Sequence, residues 1–375
     1  MSRNLPRPLT IAAVTASLAL AGIGTAGPVA AQDDDAIAAC IAEATAAVEE
    51  ARAPLEVQGP SSPIDVSQLE GSSVWLIAAG QTEFTQTVAD GFEAAGDAAG
   101  IDTRYVEGGF AVNQQQQLVE QAVSANADGI VLFNITPGSV SGPLEKAIEA
   151  GIPIMDFNNG DPTDPLEPGI FAHVAAEFTI DGQKKAHWLL ADSGCELNLA
   201  TFNVPTLNVV DLMIRGVTDE VNRLCPDTCT VTESEFQLSD FATSLGPLVQ
   251  TVIRRDPSIT YIDPAADAFA SVISPVLQLA GTEATIVGHD GNPSTIATLA
   301  AGNSLQEMTI AGPPEIFIGW ALLDQLSRGM LGEEPADWGL PGRIVDSTNI
   351  GTGSDEDIHP GWEGFEAKFL EAWGL

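Results

Sequence analysis

The residues of this chain that could do chemistry are carboxylates, four histidines and four cysteines, and they are dispersed rather than grouped. Asp290 follows His289 at the end of an apolar run (284–290), while Asp263 and Asp267 flank Pro264. Paired carboxylates can divide acid and base roles when burial separates their pKa values. An exported hydrolase using Asp290 with Asp263 or Asp267 is therefore one reading, and helix capping by Asp263 and Asp267 is the structural alternative. His173, His187, His289 and His359 show no metal-ligand spacing. His187 reads as a surface residue of an amphipathic helix, whereas His289 suits either a ligand contact or a satisfied loop position. No Walker A loop, dinucleotide glycine fingerprint, HExxH helix or GxSxG elbow occurs. The acidic segment 346–360 lacks the calcium-loop order of a central Gly and an acidic last position. No metal and no cofactor are expected.

The elements that must position these residues alternate. Apolar runs at 74–80, 129–135 and 152–157 are separated by helical periods at 85–100, 114–127 and 141–151, with a further strand at 101–108. A second set has strands at 197–204, 230–236, 258–263 and 284–290, with helices at 178–192, 209–224 and 245–256. Apolar strands separated by helices imply parallel sheets covered on both faces. The segments 147–159 and 277–290 repeat one order: helix, Ala-Gly, strand, polar residues. Two such units place their strand ends at facing edges, where open parallel sheets bind ligands.

Composition sets the address. The chain has 375 residues, 52 acidic against 14 basic, and a formal net charge of −38. That charge excludes binding of nucleic acid through a basic surface. Residues 1–31 read as a signal peptide, with Arg3 and Arg7 ahead of an apolar stretch and small residues before Gln32. An exported protein, periplasmic or at the cell surface, is expected. Residues 32–71 read as an N-terminal helix followed by an extended linker. Ile37-Ala38-Ala39-Cys40 looks like a lipoprotein box, but three aspartates separate it from the apolar stretch, which favours Cys40 within the helix. Export permits disulfides. Cys195 and Cys229 each open a strand and meet if those strands are parallel neighbours, while Cys225–Cys229 is the local competitor. With Cys40 there are three complete pairings.

Export, two βα units and the ordered segments 89–100, 147–155, 254–262, 287–293 and 311–333 together resemble the periplasmic sugar-binding proteins of ABC importers, the ribose-binding type. Lactose-repressor-like regulators share that fold but carry an N-terminal DNA-binding domain, which a signal peptide and short helix replace here. The resemblance implies an α/β fold of two Rossmann-like, doubly wound parallel-sheet lobes, the periplasmic binding protein type I architecture. Lobe I would comprise 72–176 and 313–345, and lobe II 177–312 and 346–375. Three crossings near 175–178, 311–314 and 340–347 would form the hinge.

It also implies a site. Phe84, beside Gln81 and Glu83, falls where the family presents an aromatic to the sugar. Asn158 and Asn159 fall at its polar pair, Phe241 at the second lobe's aromatic, and Asp290 at the aspartate after that lobe's last strand. Asp263, Asp267 and His289 complete the candidate set. Phe84 and Phe241 could also be plain core residues. The sequence departs from the family where Met213 and Asn159 replace arginines, and at Pro264 and Gly312. The expected ligand is a monosaccharide or polyol, with a nucleoside or small aromatic compound as the alternative that the missing arginines favour. The expected partner is a membrane permease, and the expected state a monomer without enzymatic activity.

Overall fold

The computed structural model describes residues 29–302 and 304–375, so most of the expected export signal lies outside the described residues. The chain opens with α1 (Val29–Ala51). The first lobe then runs β1 (Ser73–Ala78), α2 (Glu83–Ala99), β2 (Asp102–Glu107), α3 (Val112–Ser124), β3 (Gly129–Phe133), α4 (Ser141–Glu149), β4 (Ile154–Phe157) and β5 (Ala172–Ala176). The second runs α5 (Phe178–Ser193), β6 (Asn198–Asn203), α6 (Asn208–Leu224), β7 (Thr230–Glu235), α7 (Phe241–Arg255), β8 (Tyr261–Asp263), α8 (Asp267–Ala280), β9 (Thr285–Asp290), α9 (Pro293–Ala300) and β10 (Gln306–Ala311). The chain returns to the first lobe for α10 (Glu315–Leu331) and β11 (Gly339–Leu340), then to the second for β12 (Arg343–Asp346) and α11 (Asp355–Ile358). It ends with α12 (Glu366–Trp373).

Each lobe holds a six-stranded sheet, β2-β1-β3-β4-β5-β11 in the first and β7-β6-β8-β9-β10-β12 in the second. All pairings are parallel except β10 with β12. The apolar runs became the central strands because mainly apolar side chains suit positions covered on both faces. β3 and β4 are buried throughout, whereas the edge strands β2 and β7 are largely exposed or half-buried. The expected two-lobe α/β architecture is the one observed. Strands β5, β10, β11 and β12, which lie at or beside the crossings, are additions to the expected set. Among the described residues no helix is long and apolar enough to cross a membrane.

Both lobes pack their crossover helices through paired glycines. A Cβ on Gly91 of α2 would stand 2.2 Å from the Ile316 carbonyl, and one on Gly319 of α10 would stand 2.2 Å from the Phe92 amide. In the second lobe Gly182 of α5 and Gly216 of α6 meet in the same way, each within 2.3 Å of the opposing backbone. At these positions only glycine allows the backbones of each helix pair to approach this closely.

The domain boundaries differ from expectation at both ends of the chain. The last segment does not stay on the second lobe. Trp362, Phe365, Phe369 and Trp373 pack with Phe317, Trp320 and Trp338 in the first lobe's core, and Asp324 accepts hydrogen bonds from the Trp338 and Trp373 indoles at 3.2 and 2.9 Å. The reason is hydrophobic: four large aromatics need a core face, and α10 offers one. The N-terminal helix is no separate unit either, since Cys40, Ala44 and Val48 join the second lobe's core. The following linker carries Ile64, Val66 and Leu69 into the first. Five chain segments therefore pass between the lobes, not three.

The cysteines pair as Cys40–Cys195 and Cys225–Cys229. β6 and β7 are parallel neighbours, with Asn198 opposite Thr230. Cys195 and Cys229 nonetheless do not join. Cys195 precedes the strand in a left-handed turn at φ +58°, and its side chain packs with α1 rather than toward Cys229. Its carbonyl instead accepts from Thr228 Oγ1 at 2.7 Å, which docks the small Cys225–Cys229 loop on it. Cys40 is consumed in a disulfide, so the lipoprotein box offers no free thiol.

Candidate functional site

Among the described residues, five of the seven non-glycine positions with positive φ lie just after, or end, strands at the facing edges of the two sheets. Phe110, Asn134 and Asn158 follow β2, β3 and β4, Ala265 follows β8, and Asp290 ends β9. Such backbone conformations cost energy and concentrate at functional sites. Between these edges lies a small cavity of about 30 Å³. Phe84, Phe157 and Asn158 line it from the first lobe, and Asp181, His289 and Asp290 from the second, with Gly312 and Pro313 of a crossing as one wall.

Local sequence explains how these side chains are held. Thr82 and Thr85 form a capping box at the start of α2, which fixes the turn carrying Phe84. The Phe84 ring packs edge-on to Phe133, centroids 5.7 Å apart, with Phe157 beyond. Asn158 is buried, and its Oδ1 accepts from the Ala176 amide at 3.4 Å. Asp290 is held by its neighbours. Asp267, fully buried, accepts from the amides of Gly291 and Asn292 at 3.0 and 3.2 Å and from Gln306 and Thr309. Burial, reinforced by the Asp290 charge, pushes the Asp267 carboxyl up to about 7.

His289 bridges two carboxylates, with Nε2 3.1 Å from Asp181 and Nδ1 3.0 Å from Asp290. Burial alone would discourage its charge, but those two acids outweigh burial and raise it to about 9. At neutral pH it is an imidazolium that donates to both. Asp181 is driven the opposite way: burial would raise it, but hydrogen bonding to His289 and the Lys184 charge bring it below the usual range. Among the described residues Asp290 Oδ2 has no hydrogen-bond partner, nor do Asn134 Oδ1 and the buried Asp263 Oδ2. The strand ends thus present more acceptors than donors.

Contacts between the lobes flank this cavity, among them Thr179 of α5, whose amide and hydroxyl both donate to Asp161. The Ser294 amide and hydroxyl both donate to Glu83, Phe110 meets Phe241 edge-on at 6.0 Å, and the Asn208 amide donates to the Asn159 carbonyl at 3.1 Å. Of the residues singled out by sequence, Phe84, Asn158, His289 and Asp290 come together. Glu83 and Phe241 are lobe-to-lobe contacts beside them. Gln81 is exposed and bonds Gln86, and Asn159 lines a separate, wider opening with Asn203 and Asn208. Asp267 lies beneath the site rather than in it, because all its acceptor capacity goes to the Asp290 loop and β10. Asp263 pairs with Lys185 Nζ at 2.8 Å, both side chains fully buried.

Sequence reasoning missed Asp181 and Lys185. Both sit on the buried stripe of α5 with Phe178, Gly182, Ala186 and Leu189. Charges spaced i and i+4 on an apolar stripe were the available signal. It missed Phe110 and Asn134 as well, whose loop positions carried no pattern.

The model of a periplasmic binding protein domain matches residues 74–334. The chain belongs to that family. No curated protein sequence matches it. Among solved structures it is similar to an ABC transporter solute-binding protein from Agrobacterium vitis bound with alpha-D-tagatopyranose. Identity is 21% and the TM-score 0.66, covering 75% of this chain and 96% of that one. It is also similar to a carbohydrate transporter from Acidothermus cellulolyticus in complex with myo-inositol, at 19% identity and TM-score 0.64, covering 78% and 100%. An ABC sugar transporter subunit from Rhodobacter sphaeroides matches at 19% and 0.66, covering 75% and 100%. The periplasmic binding protein fold accounts for the placement of the cavity at the facing strand ends.

Proposed function

We propose that this protein is the exported substrate-binding component of an ABC importer and that its ligand is a monosaccharide or polyol. The observation that carries the reading is Phe84 of one lobe and Asp290 of the other lining one cavity at the facing strand ends. An aromatic face covers the C–H patches of a sugar ring, and a carboxylate takes its hydroxyls. Asp290 Oδ2, which has no partner among the described residues, favours a ligand rich in O–H donors. The tagatopyranose and myo-inositol bound by the similar structures support the same class.

A cavity of about 30 Å³ is about one water's share of liquid volume. A sugar must therefore enter with the lobes apart. Ligand then contacts both lobes only when they shut, which shifts the population to the closed form. That closed form would be what a permease recognises. The apolar stretch before Gln32 supports export. His289 and Asp267 position Asp290, and no bond needs to break.

Titration calorimetry of the mature protein, unfolded and refolded to strip carried-over ligand, against sugars, polyols, nucleosides and aromatic acids tests the reading. Binding of a sugar or polyol that Asp290→Ala abolishes supports it. Binding only of nucleosides or aromatic acids discards the sugar, and chemical turnover of the bound compound discards the binding-protein reading.

A further inference from the structure

A second cavity, of about 580 Å³, shares no lining residue with the Phe84–Asp290 cavity. Its volume is that of a small-molecule site. It lies where the start of α9, the start of α10 and the returning C-terminal segment meet, so both lobes contribute walls. Glu315 lines it and is 9% exposed, yet neither carboxylate oxygen has a hydrogen-bond partner among the described residues. The Thr87 hydroxyl is near enough to ease its ionisation but donates to the Glu83 carbonyl at 3.1 Å. The Trp362 indole N–H is likewise buried without a partner.

Charge around this cavity has one sign. Asp355, Glu356, Glu363 and Glu366 line it, and no lysine or arginine does. The one histidine, His359, is held near 4 by burial and is neutral. Burial, with the charges of Asp290 and Glu83 against it, raises Glu315 to about 9. A buried carboxyl with no donor and only acidic neighbours is incomplete by itself. Ile296, Ile316 and Phe365 supply apolar walls. Among the described residues no group of three or more side chains could hold a metal ion.

We propose that this cavity is a second ligand site, separate from the sugar cleft, that takes a small organic cation with its ammonium on Glu315 and its carbon body against Ile296, Ile316 and Phe365. An ammonium supplies the donors that Glu315 lacks, and the surrounding acids concentrate cations at the entrance. The apolar walls favour an amine with a carbon body over a bare ion.

The test uses the mature protein with benzylamine as probe and benzyl alcohol as its neutral counterpart. Benzylamine should bind and move the Trp362 indole N–H resonance, assigned with Trp362→Phe, while benzyl alcohol should do neither. Glu315→Gln should weaken benzylamine at least tenfold and leave sugar binding unchanged. Asp290→Ala should leave benzylamine binding unchanged, which separates this site from the sugar reading. No benzylamine binding, equal binding by benzyl alcohol, or equal binding by Glu315→Gln would overturn the proposal. The wild-type indole shift decides the matter even if Glu315→Gln does not fold.

Discussion

Glu83, at the first turn of α2, accepts hydrogen bonds from both the amide and the hydroxyl of Ser294, which belongs to the opposite lobe. The contact exists only when the lobes are together, so it favours the closed form without touching the cavity. Glu83→Ala should weaken sugar affinity by less than about tenfold, chiefly through faster release, because an exposed charge-assisted pair contributes about 1 kcal/mol. Stopped-flow dissociation measures this. An unchanged release rate would mean that the clasp does not bear on closure.

Asp290 has the opposite expectation. Its Oδ1 is committed to His289, leaving Oδ2 for the ligand. Asp290→Ala should remove sugar binding by at least a hundredfold, about 3 kcal/mol for a buried charge-assisted contact. Phe84→Ala should cost less, since it removes contact area but no charge. Calorimetry on both variants checks the order, and a Phe84→Ala loss exceeding that of Asp290→Ala would reverse the assigned roles.

The lobes were legible because their central strands are uninterrupted apolar runs, such as Gly129–Phe133, that suit only a doubly covered sheet. Gly91 and Gly216, one from each lobe's glycine pair, stand in helices that the apolar spacing marks. The cavity's shell was less legible. Asp181 lies more than a hundred residues from His289, and only the sheet order brings α5 beneath β9. Asp267 read as a ligand contact because its position beside Pro264 hid that its acceptors are spent on Gly291 and Asn292. Trp362, Phe365, Phe369 and Trp373 form one aromatic cluster, but nothing in their spacing states which lobe would bury it.

His289 makes stability depend on pH. Its folded pKa, about 9, lies above the unfolded value of ~6.5, so its stabilising contribution is complete below the unfolded value and is lost as pH rises through 9. Glu315 and Asp267, raised to about 9 and about 7, also favour the protonated folded state and add to the same downward slope. Stability should decline from pH 5 to 9. His289→Gln should flatten the part between about pH 6.5 and 9, worth on the order of 3 kcal/mol. Denaturant midpoints at pH 6, 7.5 and 9 give the test, and parallel wild-type and variant curves would show that His289 is not charged in the folded protein.

Lys185 and Asp263 are fully buried and 2.8 Å apart, and Lys185 also donates to the Ala265 carbonyl at 3.3 Å. Lys185→Ala leaves Asp263 without its counter-charge and should cost about 3–5 kcal/mol. Replacing both by apolar residues should recover most of that loss, because a buried pair gains little over well-packed hydrophobic groups. Urea denaturation of the single and double variants measures the difference. A double variant as unstable as the single would mean that the pair also fixes the β8 turn.

The two disulfides should differ in what they protect. Cys40–Cys195 spans 155 residues and Cys225–Cys229 spans 4, so chain entropy assigns about 5 kcal/mol to the first and about 2 kcal/mol to the second. The first figure applies only if α1 and the second lobe unfold together. Among the described residues α1 buries only Cys40, Ala44 and Val48, so without its disulfide the helix should open locally before the lobe unfolds. Cys40→Ser with Cys195→Ser should therefore abolish hydrogen-exchange protection across residues 34–51 while lowering the melting temperature less than the loop length implies, and sugar affinity should be unchanged. Retained protection in that segment would show that packing on α5 holds α1 without the covalent link.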